Sequence, residues 1–201
     1  MSSRIRFSTA RHVFEAFPDL TQVVPAPKDE RAPIDYARDL LGSPNRAQAI
    51  TFLSYLLPRR EAVWWAHQCV AAILGPKAEQ DAALQAAENW VRAPEEENRQ
   101  AALSVGTASD QRQATTWLAL AAAWSGGSMC PPDAPPMPAA PPAAAAAPPW
   151  ACAKAVNAAI VLSMIGEPNI INDRLKACAE AGIRFAEGGD ARPVVAPAPR
   201  R

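Results

Sequence analysis

Twenty-one prolines in 201 residues constrain this chain more than any other feature, because proline removes a backbone donor and is excluded from helix interiors and central strands. Their positions, taken with the glycines, mark out helices. Ser43-Pro44 opens a segment that runs to Leu57, Pro58 opens the next to Leu74, and Gly75-Pro76 stops it. A further segment covers residues 77–92, and Ala93-Pro94 starts another whose first turn carries Glu95, Glu96 and Glu97, acids that suit the positive end of a helix dipole. Asp110 with Gln113 reads as a capping box ahead of residues 114–125, which Gly126-Gly127 closes. Residues 150–165 and 169–187 form a last pair.

Apolar spacing supports these limits. Val63, Ala66, Val70, Ile73 and Leu74 recur at helical intervals, as do Ile171, Leu175, Cys178, Ala179, Gly182 and Ala186. No alternating run of β-branched residues marks a strand. The expected fold is all-α, an irregular bundle or short solenoid of about eight helices in antiparallel hairpins. Residues 1–187 make one domain, interrupted at 130–149 by a Pro/Ala-rich extended strap before the last hairpin, and residues 188–201 form a disordered tail.

Charge and cysteine usage narrow the class. Lys+Arg and Asp+Glu are equal at 20 each, which offers neither a nucleic-acid polyanion nor an acidic membrane face an electrostatic hold. Cys69, Cys130, Cys152 and Cys178 are widely spaced, unlike a secreted disulfide framework, and read as reduced thiols of a cytoplasmic protein. Neither a signal peptide nor a stretch of ~20 apolar residues is present, so a soluble protein is expected. His67 and Cys69, two residues apart, project to different sides of a helix, and no ligand pairing suggests a metal or cofactor.

The densest feature is Leu57-Pro58-Arg59-Arg60-Glu61-Ala62-Val63-Trp64-Trp65. Arg60 and Trp64 share a helix face on which guanidinium can stack on indole, with Glu61 beside both arginines. Adjacent tryptophans point about 100° apart, so one indole belongs at the edge of the buried face. Arg59, Arg60, Glu61, Trp64 and Trp65 therefore form either a structural lock between helices or a partner-binding patch, since Trp and Arg are favoured at hot spots.

This nine-residue run resembles the signature of a bacterial family catalogued only as a domain of unknown function. The resemblance extends through residues 86–91 and 124–128 to the proline-rich segment and the last hairpin. Such proteins are encoded near type VI secretion genes, so the resemblance implies a non-catalytic accessory or adaptor role, with a secretion effector, its chaperone or a spike component as partner. It brings no catalytic residues. Two other readings stay open: an enzyme or toxin with a site assembled from Arg59, Arg60, Glu61 and His67, and an oligomeric scaffold.

Overall fold

The computed structural model describes residues 3–130, 146–166 and 168–195. Among them are nine α-helices and no strand: α1 (Ala10–Ala16), α2 (Pro33–Gly42), α3 (Ala47–Leu56), α4 (Arg59–Leu74), α5 (Ala82–Arg92), α6 (Glu96–Ala108), α7 (Ala114–Ala123), α8 (Ala151–Leu162) and α9 (Ile171–Ala186). The all-α expectation holds, with an isolated antiparallel bridge between Ser128 and Ala146 as the nearest thing to a sheet. No helix of the described residues is long and apolar enough to cross a membrane.

The architecture is a bundle built around α7. Nine of its ten residues are buried, and most are alanine, which lets α4, α5, α6 and α8 all pack on it. On the other side of α4 and α8, α3 and α9 close the core, and an aromatic cluster ties on the N-terminal helices: Phe14, Tyr36 and Phe52 have ring centroids 5.0–6.0 Å apart. The last two helices dock separately rather than as a packed hairpin. α8 lies on α7, α4 and α3, whereas α9 lies on α3, α2 and α4.

Local chemistry explains most boundaries and corrects some. Pro58 precedes α4 and Gly75 ends it, as the sequence reading requires. The segment expected from residue 77 to Arg92 divides, because the Asp81 carboxylate accepts from the amides of Ala83 and Leu84 at 2.9 and 3.1 Å and starts α5 afresh after a 3₁₀ turn, Pro76–Gln80. The capping box at Asp110 and Gln113 does not form. Asp110, four residues ahead of the first residue of α7, instead accepts from the amide of Arg112 at 3.0 Å, and Gln113 is the N-cap without a side-chain bond. Helix α1, only seven residues long, is an element that the proline spacing did not mark.

Arg99 shows how a polar group enters this core. Its guanidinium, almost wholly buried, pairs with the Glu96 carboxylate at 2.6 and 2.7 Å and donates to the carbonyls of Ala123 and Ser128 at 2.8 and 3.1 Å. That pairing holds the Glu96 carboxyl down at about 2. Gly127, at φ +61°, leaves the space that Arg99 fills, because a Cβ there would sit 2.8 Å from Nη2.

The expected strap lies mostly outside the described residues, at 131–145. Residues 188–195 of the expected tail are among the described residues. Arg184 donates to the carbonyls of Asp190 and Arg192 at 3.2 and 2.7 Å, and Ala191 is buried, so this stretch is fastened along α9. Residues 196–201 lie outside the described residues.

Candidate functional site on helix α4

The run from Leu57 to Trp65 opens α4, and its polar groups reach three other elements. Arg60 Nε donates to the Val91 carbonyl at 2.7 Å, one of the acceptors left without an intrahelical partner in the last turn of α5. Arg59 donates to the carbonyl of Ser125, just past α7. Trp65 is fully buried, and its indole N–H donates to the Cys178 carbonyl of α9 at 2.9 Å. The indole lies against Gly182, where a Cβ would meet Trp65 Cε2 at 2.8 Å and Leu53 Cδ1 at 3.0 Å. Glycine at 182 is thus what allows α9 to approach α4 so closely.

Trp64 has a different environment. It is half-buried at the edge of the core and stacks on His67, with centroids 5.3 Å apart and planes 7° from parallel. The expected Arg60–Trp64 stack is absent, because the Val91 carbonyl draws the guanidinium and His67 occupies the indole face. Glu61 forms no ion pair with Arg59 or Arg60 among the described residues. Burial holds the His67 pKa below its ordinary value, Glu88 pulls it back up with Oε2 3.7 Å from Nε2, and Arg92 pushes it down. Buried Nε2 has no hydrogen-bond partner among the described residues, so the neutral ring is the form that fits here.

Arg60, Glu61 and Trp64 line an open groove of about 250 Å³ with Val91 and Arg92 of α5, Phe185 of α9 and Arg4 of the N-terminal segment. The Arg4 guanidinium lies 4.1 Å over the Phe185 ring and donates to the carbonyls of Phe185 and Gly189 at 2.5 and 3.0 Å. Arg92 pairs with Glu88 at 2.6 Å. Neither Arg4 nor Arg60 forms an ion pair among the described residues, and Arg4, Arg60 and Arg92 outnumber Glu61 in the lining, so the groove keeps a positive surplus around two aromatic rings.

The five residues singled out from sequence do not form one surface. Arg60, Glu61 and Trp64 share the groove, Trp65 faces the core, and Arg59 turns toward a separate cavity lined by Arg6 and Cys152. His67 lies behind Trp64 and does not line the groove. Arg4, Val91, Arg92 and Phe185 were not foreseen, since only the Glu88–Arg92 spacing carried a signal, and that one reads as an ordinary pair along a helix. Among the described residues no three histidine, cysteine, aspartate or glutamate side chains assemble where a metal ion could be held.

Comparison with known families matches residues 36–186 to one described as a family of unknown function, DUF6931. The chain belongs to this family. The match covers α3 to α9 whole and so includes the α4 run, the Val91 carbonyl, the Ser125 turn and Gly182, while Arg4 and the fastened stretch 188–195 lie outside it. No curated protein and no solved structure matches the chain.

Proposed function

We propose that this protein is a non-catalytic binding protein, an accessory or adaptor whose α4–α5–α9 groove takes an acidic segment of a partner protein anchored by an apolar side chain. The observation that carries the reading is the pairing of Arg4 and Arg60, both held in place by backbone carbonyls and neither in an ion pair among the described residues, with the half-exposed Trp64 ring and the edge of Phe185; Glu61 on the same wall offsets only part of that charge. Carbonyl bonds fix the direction of a guanidinium without cancelling its charge, so such groups are already oriented for a carboxylate. Trp and Arg together are the residue types that dominate binding hot spots.

The finer version, service to a bacterial type VI secretion system in the cytoplasm with an effector or spike component as partner, rests on the resemblance of the α4 run. The enzyme alternative is less well supported, because Arg59 and His67 do not share the groove with Arg60 and Glu61. A photo-crosslinking residue placed at position 64 in the native host tests the binding reading, with the same residue at exposed Arg112 as control. A defined adduct formed from position 64 alone, and lost when Arg60 and Arg92 become Glu, is the expected result. No adduct, or the same adducts from both positions, contradicts it. Identification of a secretion component in the adduct carries the finer version, and an unrelated protein removes it.

A further inference from the structure

A second cavity, which shares no lining residue with the groove, has the make-up of an anion site. It measures about 210 Å³, below the roughly 300–1,000 Å³ of pockets for drug-sized ligands, so any occupant is small. Arg6 of the N-terminal segment and Arg59 of α4 contribute two guanidinium groups to its wall, and no carboxylate of the described residues lines it. Arg59 is held by the Ser125 carbonyl, and Arg6 has no ion pair among the described residues. The nearby acid, Asp19, is already engaged by Lys154 at 3.1 Å and by the Tyr55 hydroxyl at 2.8 Å.

Two helix starts meet at the same cavity. Helix α4 begins at Arg59 behind Pro58, and α8 begins at Ala151 behind Trp150. Neither N-terminus has a side-chain cap. Helices of 16 and 12 residues thus bring their positive ends to the wall at Arg59 and Cys152, the Ala151 amide of α8 being already taken by the Pro148 carbonyl at 3.0 Å. Cys152, buried in that wall, adds no opposing charge: burial pushes its thiol up to about 12, outweighing the pull of Arg59. Three aromatic side chains share the wall with Leu57, Pro149 and small residues: Phe17 and Tyr55 lie edge to face at 5.2 Å, with Phe7 beyond them.

We infer that this cavity binds a small organic anion, a carboxylate or phosphate group on a compact apolar body, with Arg6 and Arg59 as its charge partners and Phe17 and Tyr55 against the body. Such a ligand would bridge the N-terminal segment, α3, α4 and α8, and so bind only the folded chain.

Calorimetric titration of the full chain at low salt with phenyl phosphate, benzoate and neutral benzyl alcohol tests this. One-to-one binding of phenyl phosphate or benzoate, without benzyl alcohol, is the expected result, and which anion binds distinguishes the phosphate from the carboxylate. Arg6→Gln, whose side chain makes no hydrogen bond or ion pair among the described residues, is expected to weaken that binding by roughly tenfold at an unchanged melting temperature, the worth of one charge-assisted contact. Arg92→Gln, in the other groove, is expected to leave it within about twofold, because the two sites share no lining residue. Silence from both anions, equal binding of benzyl alcohol, or an Arg6→Gln protein that binds as tightly as the parent overturns the proposal.

Discussion

Trp64 and Trp65 are neighbours in sequence and opposites in environment. Trp65 has no exposed surface, donates to a backbone carbonyl of α9 and lies on a glycine cut to its shape. Trp64 sits at the rim, stacked on a histidine, with one side turned to a groove. The 100° step of a helix is enough to separate a residue that holds the fold from one that can be spent on a partner. The arginines add to the contrast, since Arg59 and Arg60 fasten helix ends through backbone carbonyls, which fix the direction of a guanidinium without cancelling its charge.

The largest effect expected from this contrast is on the inner face. Trp65→Ala removes a fully buried ring and its hydrogen bond, and should cost about 3–5 kcal/mol in guanidinium unfolding. Gly182→Ala probes the same contact from α9. Its Cβ must displace a rigid indole from 2.8 Å, which should cost about 1–3 kcal/mol, and pairing it with Trp65→Phe should recover part of the loss because the smaller ring leaves room.

His67, behind the rim, gives a smaller effect with a definite sign. Its folded pKa lies below the ordinary 6.5, so the unfolded chain binds the extra proton first. Stability from this group is present above about pH 6.5 and falls as pH drops below it, by at most about 1.4 kcal/mol per pH unit. His67→Gln should flatten the unfolding profile between pH 7 and the folded pKa, while the parent slopes. On the outer face itself, Arg60→Ala loses one hydrogen bond of an exposed side chain to Val91, and about 1 kcal/mol or less is expected from thermal or denaturant melts.

How much of this was legible in the sequence follows from where each partner lies. The limits of α4 were readable because Pro58 and Gly75 are local signals, and the split between the two indoles followed from helix geometry alone. The Arg60–Trp64 stack was a sound local inference that lost to an acceptor 31 residues away, which spacing within one helix cannot reveal. Pro76 looked like the start of a helix and masked the true start at Asp81. The groove was not legible at all, since Arg4 and Phe185 come from the two ends of the chain, 181 positions apart, and only folding brings them together.

The central claim is that the inner face of α4 holds the fold while its outer face is dispensable for folding. The Arg60→Ala, Trp64→Ala double variant measures it most directly, through its guanidinium unfolding midpoint compared with that of Trp65→Ala. The account predicts a cooperative monomer that loses no more than about 2 kcal/mol, well short of the inner-face variant. A double variant that unfolds as readily as Trp65→Ala would show that both faces hold the fold, and would contradict it.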